Sequence, residues 1–188
     1  MRYVVFDTET PNRCNDRISQ IGFCVVEDGI IGPERCFLVN PECSFDEFNI
    51  MLTGIRPEQC RCEPDFAELW SRELEEVFSE GVLVAHNAPF DMAVLAKCLR
   101  AYGLRWKHIA SYIDTVRLAR RAFPTLSNHR LDTLAYRLGL ELEHHDAGSD
   151  AAACAHILLA CMERGAAPED FLRDYDMRSM RTLRPANI

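Results

Sequence analysis

Apolar and polar residues alternate over several short stretches of the chain, as they do in β-strands with one buried face. This alternation and the β-branched content predict five strands, over residues 2–7, 18–26, 30–39, 82–86 and 108–114. The segment Glu27-Asp28-Gly29 separates the second strand from the third, and its turn-forming residues predict a hairpin.

Elsewhere apolar residues recur every three or four positions, which is typical of helices packed against a core. This spacing predicts five helices, at about 64–79, 89–102, 115–122, 130–138 and 148–163. Residues 40–62, with Pro41, Gly54 and Pro57, predict an irregular connection that contains one short helix. A hairpin followed by alternating helices and strands predicts an α/β fold with a mixed sheet.

Composition places the chain among globular proteins. It has 188 residues, 48% of them hydrophobic, which suits one compact domain with a sizeable core. No apolar run reaches the roughly 18 residues of a membrane span. Asp7 and Glu9 interrupt the first apolar stretch, so no signal peptide is expected. We therefore expect a cytoplasmic protein with no membrane partner.

Nine cysteines are many for a chain in which no secretory signal is expected, and they favour reduced thiols. Cys60 and Cys62 form a Cys-x-Cys pair, but no His or Cys follows at the spacing of a zinc site, so zinc is not favoured. We expect several of the nine to pack as small apolar side chains in the core.

The chain is acidic, with 21 Lys and Arg against 29 Asp and Glu and a net charge of −8. Proteins that bind duplex nucleic acid through their overall charge are usually basic, so contact with nucleic acid would have to be local. Two groups of arginines offer small basic patches: Arg117, Arg120 and Arg121, and Arg178, Arg181 and Arg184. A solvated surface remains the simpler explanation of any single charge among them.

The first strand runs into two carboxylates, in the stretch VVFDTET at residues 4–10. Because side chains alternate along a strand, Asp7 and Glu9 project together from its C-terminal end, on the face of Tyr3 and Val5. Open α/β sheets bind ligands at that end, and carboxylate oxygens suit Mg²⁺ or Mn²⁺. A solvated strand end with a capping carboxylate explains the pair equally well.

Two further acids begin predicted helices and lie on their apolar faces. Each shares its face with four later residues: Leu95, Cys98, Leu99 and Tyr102 for Asp91, and Cys154, Ile157, Leu158 and Cys161 for Asp150. The helix macrodipole favours an acid in a first turn, which explains its presence but not its place on the apolar stripe. We therefore expect both carboxylates to point toward the sheet.

His145 lies five residues before Asp150, on the loop that enters the last predicted helix. An imidazole on such a loop can reach over a metal site and take a proton from water near neutral pH. A surface loop residue is the alternative for either neighbouring histidine, and it is what we expect of His144.

Together these residues resemble the three motifs of the DEDDh, or DnaQ-like, 3′–5′ exonucleases. The motifs FDTET, HNAPFD and HDAGSD stand in the family's order and spacing, and the similarity runs from about residue 2 to residue 163. A lone Asp-x-Glu carries little information, but three motifs with a His five residues before the last Asp are specific. A His, and not a Tyr, before that Asp indicates the DEDDh branch.

The resemblance implies a ribonuclease H-like α/β fold, with a mixed five-stranded sheet in the order 3-2-1-4-5, strand 2 antiparallel, and flanking helices. It implies an exonuclease domain over residues 1–165, followed by a short C-terminal extension over 166–188. It also implies four metal ligands, with His145 as general base. The implied ligands are Asp7, Glu9, Asp91 and Asp150.

The expected cofactors are two divalent cations, Mg²⁺ or Mn²⁺. Phosphodiester hydrolysis develops negative charge on the attacking and leaving oxygens, and two cations about 3.5–4 Å apart stabilise both. Asp7 would bridge the two ions, Glu9 and Asp150 would complete the one beside the attacking water, and Asp91 would anchor the other through water. The products would be 5′-mononucleotides.

The substrate-binding candidates that the resemblance suggests are Thr8, Thr10, Thr53, Asn87 and Phe90. The backbone at Thr8 and Glu9 would hold the terminal 3′-hydroxyl, as in relatives. Phe90 could stack on a base, although a Phe in the first turn of a helix is more often a core residue. Two positions depart from the family: Thr53 stands where a His often contacts the last nucleotide, and Gln20 where many members have an acid.

Three functions remain open. The first is a stand-alone exonuclease acting on the 3′ ends of single-stranded DNA or RNA. The second is a proofreading subunit with a DNA polymerase partner; only 25 residues follow residue 163, which is short for the polymerase-binding tail of epsilon-like chains. The third is a non-catalytic nucleic-acid or protein-binding module. A protein without catalytic activity would have no reason to retain all five active-site residue types.

Overall fold

An eight-stranded mixed sheet with helices on both faces organises the chain in a computed structural model, which describes residues 1–183. The strands are β1 (Arg2–Glu9), β2 (Gln20–Glu27), β3 (Ile30–Ile31), β4 (Arg35–Leu38), β5 (Val82–Ala85), β6 (Ile109–Asp114), β7 (Arg173–Asp176) and β8 (Arg181–Thr182). Arg184, and with it the end of the expected C-terminal extension, lies outside the described residues.

The strand order is β3-β2-β1-β5-β6-β7-β8, and β4 also pairs with β2. β2 is antiparallel to β1, whereas β5 is parallel to β1 and β6 to β5. The expected order is therefore confirmed for the five predicted strands, with β3 and β4 as two pieces of the third. Gly32 and Pro33 lie between these pieces, and a proline has no N–H to contribute to a β-ladder.

The prediction of only five strands was too low. β7 pairs antiparallel with β6, and β8 pairs antiparallel with β7, so residues after the last long helix extend the sheet. Both added strands are short and carry exposed charged residues, a pattern typical of edge strands and a weak signal in sequence. The β2–β3 hairpin has the predicted turn, with φ of 52° at Asp28 and 78° at Gly29, as a type I′ turn requires.

The helices are α1 (Glu47–Thr53), α2 (Pro57–Cys60), α3 (Phe66–Leu69), α4 (Glu75–Glu80), α5 (Pro89–Ala101), α6 (Thr115–Ala122), α7 (Leu131–Leu138) and α8 (Ala147–Glu163). Residues 40–62 thus hold two short helices where one was expected. None of the helices in the described part of the chain has the length and apolar character needed to cross a membrane.

The helix predicted over 64–79 is interrupted by a π-helical segment, Trp70–Leu74, which joins α3 to α4. Trp70, Leu74 and Phe78 are spaced by four residues and are all fully buried. A wider turn keeps such a spacing on one side of the helix, whereas 3.6 residues per turn would let it drift. The interruption therefore serves core packing.

β1 lies between two hydrophobic cores. Val4 and Phe6 pack with the helices α3 to α5 on one face of the sheet. Tyr3 and Val5 pack with α6 to α8 on the other face. A strand covered on both sides can receive side chains at its C-terminal end from helices of both layers.

The nine cysteines are free thiols, as the sequence predicts. The buried ones are Cys24, Cys60, Cys98, Cys154 and Cys161. Cys62 is exposed, and no cluster of potential metal ligands includes the Cys60–Cys62 pair within residues 1–183.

Gly22 on β2 allows the first turn of α8 to approach the sheet closely. A Cβ at Gly22 would overlap the backbone of Ala147 and Gly148, and a Cβ at Gly148 would overlap the side chain of Glu34. Gln20, also on β2, accepts a hydrogen bond from the N–H of Ala147 at 3.0 Å. The start of α8 is therefore held against β2 by shape and by hydrogen bonding.

We expect Gly22→Ala to lower the free energy of unfolding by about 3 kcal/mol, because the added methyl group would push α8 off the sheet. Gly32→Ala is the matched control, since its Cβ would meet only the carbonyl oxygen of Val25, at 3.2 Å. Urea denaturation of both variants measures the difference. Equal losses would show that the approach of α8 to β2 is not under steric control.

Candidate active site

Three carboxylates meet where β1 ends. Asp7 and Glu9 come from β1, and Asp150 comes from the first turn of α8. One carboxylate oxygen from each of the three lies within 4.8 Å of the others. Asp150 Oδ1 is buried and has no hydrogen-bond partner among the described residues. Such an orphaned oxygen in a group of carboxylates suits a cation ligand.

Asp91 reaches the same strand end from the opposite layer, on the first turn of α5. It is only 2% exposed. Its Oδ1 accepts hydrogen bonds from the backbone N–H of Thr8 at 3.2 Å and from the hydroxyl of Thr8 at 2.9 Å. Asp91 is outside the closely spaced group of three, but its charge raises the pKa of Asp7.

Burial and mutual repulsion raise the pKa of these acids. Burial, followed by the charges of Asp150 and Asp91, raises the pKa of Glu9 to about 8. Burial raises the pKa of Asp91 to about 7. The pKa of Asp7 is raised well above its usual value by burial and then by Asp91 and Glu9. A bound cation would compensate these charges and let the acids ionise together near neutral pH, and an all-oxygen set fits Mg²⁺ or Mn²⁺.

His145 lies beside this group. Its Nδ1 is 3.7 Å from Glu9 Oε1, and its backbone N–H donates to Asp150 Oδ2 at 3.1 Å. Its φ of 69° is uncommon for a residue with a side chain, and such strain is frequent at functional sites. Burial and the neighbouring His144 lower the pKa of His145, which favours the neutral imidazole near pH 7.

His144 is an exposed loop residue, as expected from the sequence, but it also contacts the site. Its Nδ1 lies 3.2 Å from Asp150 Oδ2, a distance at which the imidazole N–H donates to the carboxylate. Its ring stacks on His145, with the ring centres 4.1 Å apart and an angle of 8° between the planes. Sequence spacing gave no signal for this contact, which depends on the path of the loop.

A cleft of about 920 Å³ opens over the carboxylates. Thr10, Asn87 and Phe90 line it, and Phe90 is 42% exposed, so Phe90 is not the core residue that its position favours. Thr8 also lines the cleft, with its hydroxyl and N–H engaged by Asp91. Thr53 is absent from the described lining; its hydroxyl donates to the carbonyl of Asn49.

One wall of the cleft comes from α1, a helix whose role the sequence did not indicate. Phe48 is 65% exposed and Leu52 is 42% exposed, and both line the cleft, as Phe90 does. Neighbouring exposed apolar side chains that line a groove are typical of a ligand-binding site. The sequence feature that could have indicated this wall is the segment Phe-Asn-Ile-Met-Leu at residues 48–52, in which four of five side chains are apolar.

The cleft lining also includes the loop 127–130 and Arg120. His86 holds this loop: its Nε2 donates to the carbonyl of His129 at 3.0 Å, and its Nδ1 accepts from Thr115 at 2.9 Å. Burial lowers the pKa of His86 to about 4, so it stays neutral in this role. Arg120 and Arg130 thus face the cleft as cations on a fixed wall.

Comparison with known proteins identifies the family. The sequence matches a family model described as "RNase_T: Exonuclease" over residues 4–158. The chain belongs to this exonuclease family. Its exonuclease domain is of the DEDDh type, which confirms the resemblance seen in the three sequence motifs.

A curated relative of the exonuclease domain is the PolC-type DNA polymerase III of Caldanaerobacter subterraneus subsp. tengcongensis, 35% identical over 166 residues. That match covers 86% of this chain but only 12% of the relative. The chain therefore spans about one eighth of the length of the polymerase that it matches.

Two solved structures share the fold of the exonuclease domain. Exonuclease X in complex with 5′-overhanging duplex DNA has a TM-score of 0.72 at 24% identity, with 90% of this chain and 96% of that chain covered. The zinc-bound form of the E. coli ExoI–ssDNA complex has a TM-score of 0.74 at 21% identity, with 90% and 42% covered. The expected ribonuclease H-like fold is confirmed.

Without metal ions, the exonuclease domain should lose stability as pH rises. Glu9 has a pKa of 4.5 in a model peptide and about 8 in the fold, so its contribution is complete below pH 4.5 and is lost as pH passes 8. Asp91 behaves alike through a pKa of about 7. We expect a loss on the order of 2 kcal/mol in chelator across this range.

Asp7→Asn should raise the melting temperature in chelator and weaken this pH dependence, because it removes one of the repelling carboxylates. The matched control is Asp28→Asn, at an exposed turn whose φ of 52° suits Asn. Calorimetry with and without Mg²⁺ gives the melting temperatures. A lower melting temperature for Asp7→Asn than for wild type would contradict this account of the site.

Proposed function

We propose that the chain is a 3′–5′ exonuclease that releases 5′-mononucleotides from single-stranded DNA or RNA, with two Mg²⁺ or Mn²⁺ ions as cofactors. The observation that carries this proposal is the approach of Asp7, Glu9 and Asp150 to within 4.8 Å of one another, with His145 beside them. A binding module would not need this arrangement, because uncompensated buried carboxylates cost stability.

Asp7, Glu9 and Asp150 would hold one cation, and Asp7 with Asp91 would hold the other. Bound there, the cations would stabilise the negative charge that develops on the attacking and leaving oxygens of the phosphodiester. Thr8 fixes the orientation of Asp91 through two hydrogen bonds to one oxygen. Asp150 is oriented through Oδ2 by the N–H of His145, while its Oδ1 stays available.

His145 would act as the general base that takes a proton from the attacking water. Its lowered pKa keeps the imidazole able to accept that proton near neutral pH. The stacked His144 limits the rotation of the His145 ring and binds Asp150 at the same time. The two histidines together therefore hold the base beside the carboxylates.

The cleft would receive the terminal nucleotide. Phe48, Leu52 and Phe90 offer exposed apolar surface in the cleft, and bases stack on aromatic side chains without sequence preference. The backbone at Thr8 and Glu9, with the side chains of Thr10 and Asn87, would contact the sugar at the 3′ end. These contacts would favour attack from an end over attack within the strand.

A second candidate function is proofreading beside a DNA polymerase. The observation that favours it is the match to a PolC-type DNA polymerase III, since 86% of this chain corresponds to part of that protein. The same chemistry at the carboxylates would serve either function, so the two differ in partner and not in site.

We expect His145→Ala and Asp150→Asn each to lower the rate of mononucleotide release by about 10³-fold, with folding retained. His156→Ala is the matched control, because His156 is exposed on α8 and outside the cleft lining of the described residues. The assay uses single-stranded oligonucleotides labelled at either end, with Mn²⁺ or Mg²⁺. Near wild-type turnover in either variant would refute the assignment, and release beginning at the 5′ end would refute the polarity.

For the choice between the two functions, we expect full digestion of single-stranded DNA without any polymerase. A pull-down with the replicative polymerase of the source organism, and digestion of a mispaired primer with and without it, provide the measurement. Stable retention together with a rise of about tenfold or more on the mispaired end would favour proofreading over the stand-alone enzyme.

A further inference from the structure

A second groove, of about 690 Å³, lies at the end of α5 away from the carboxylates. Four of its lining side chains are cationic: Arg100, Arg105, Lys107 and Arg178. Its described lining contains no Asp or Glu. The groove is therefore locally positive, although the whole chain has a net charge of −8.

The cations of the groove are not used in ion pairs. No salt bridge within residues 1–183 involves Arg100, Arg105, Lys107 or Arg178. Asp176, two residues before Arg178, is engaged in its own turn, where it accepts hydrogen bonds from the backbone N–H groups of Arg178 and Ser179. The guanidinium groups of the groove therefore remain available to an external anion.

The groove has a fixed floor and one anchored wall. Leu99 and Met177 are buried beneath it. Trp106 Nε1 donates to the hydroxyl of Ser79 at 2.8 Å, and Lys107 Nζ donates to the carbonyl of the same residue at 2.6 Å. The segment that carries Arg105 is thus tied to the last turn of α4.

We propose that this groove is a second binding site for nucleic-acid phosphates, and that it holds the 5′ part of a strand whose 3′ end lies in the cleft. The proposal rests on the proposed exonuclease function. Guanidinium groups match phosphate oxygens in charge and in fork geometry, which makes arginine a common choice for phosphate recognition. In a protein of negative net charge, a local cluster of cations is one way to gain affinity for a polyanion.

Helix α5 connects the two sites. Phe90 at its start lines the cleft, and Arg100 near its end lines the groove. Lys97, at the spacing of two turns from Phe90, lies on the same side of the helix between them. Nine residues separate Asp91 from Arg100, or about 14 Å along the axis, and the two side chains project from opposite sides of α5, so the two sites are at least that far apart. Stacked nucleotides at about 3.4 Å would cover that distance in about four steps.

An acidic peptide of a protein partner is the other class of ligand that four cations could attract. The nucleic acid is favoured because the groove is reached from the cleft along a single helix, and because a nucleic-acid strand bound at its 3′ end must continue across the surface. The peptide is therefore treated as a competing outcome of the test.

The test compares Arg105→Gln/Arg178→Gln with a control of equal charge change, Arg61→Gln/Arg137→Gln, whose arginines are exposed and outside both the cleft and the groove. The substrates are a 15-nucleotide single strand and a dinucleotide too short to reach the groove. The ratio of kcat/KM on the long substrate to that on the dinucleotide should fall about tenfold in the groove variant only. Its salt dependence on the long substrate should weaken by about 1.4 in log–log slope, as expected for two lost phosphate contacts.

Binding of the fluorescent 15-nucleotide strand in chelator, measured by anisotropy, does not depend on catalysis. If both double variants digest and bind the long strand alike, the groove proposal is overturned and the exonuclease function stands. If wild type binds the strand more tightly than the groove variant but digests neither substrate, the proposed function fails and the groove stands. A labelled deca-glutamate peptide is the third ligand. If wild type binds this peptide and the groove variant does not, while both bind the strand equally, the proposal is overturned in favour of a protein partner.

Discussion

Mutual repulsion among carboxylates at the end of β1 is the constraint on which the rest of the structure depends. Asp7, Glu9 and Asp150 lie within 4.8 Å of one another, and Asp91 is almost fully buried beside them. Burial and mutual repulsion raise their pKa values, which is the direction expected when such groups are held together. The fold offsets the cost of this repulsion through its two hydrophobic cores, which pack α5 and α8 against the two faces of the sheet. Packing that takes no part in the chemistry thus offsets the destabilisation that the carboxylates cause.

The alternation of side chains along β1 brings residues from the helices on both faces of the sheet to one end of the strand. Its odd-numbered side chains face α8, so Asp7 and Glu9 meet Asp150, while Thr8 on the even-numbered face holds Asp91 of α5. This arrangement needs each helix to begin at the right height along the strand. For α8 that height is set on β2, where Gly22 leaves room for the helix and Gln20 binds its first N–H. Gln20, which stands where many family members have an acid, thus has a structural role in this chain.

Sequence reasoning succeeded where the relevant geometry is local. Strand alternation placed Asp7 and Glu9 on one face, and helical spacing placed Asp91 and Asp150 on buried faces, because both periodicities follow from backbone geometry alone. It failed where position depends on how distant segments pack. The contact of His144 with Asp150 depends on the path of a loop, the exposure of Phe90 depends on what α1 leaves open, and β7 with β8 depends on a free sheet edge beside β6.

The distribution of charge has a consequence for how an acidic chain can act on a polyanion. At the carboxylates, phosphate is repelled unless cations intervene, and the arginines in the described cleft lining are Arg13, Arg120 and Arg130. Arg13 lies 3.2 Å from Asp46. Arg130 lies 3.5 Å from Asp132, so part of its charge is compensated within the chain. Arg120 forms no salt bridge within residues 1–183, and the groove at the far end of α5 gathers three more such arginines, Arg100, Arg105 and Arg178. Because screening confines each charge to about 8–10 Å at moderate salt, repulsion at the cleft and attraction at the groove act as separate local fields. A strand long enough to reach the groove would therefore gain affinity that a mononucleotide product cannot, which favours release of the product over release of the substrate.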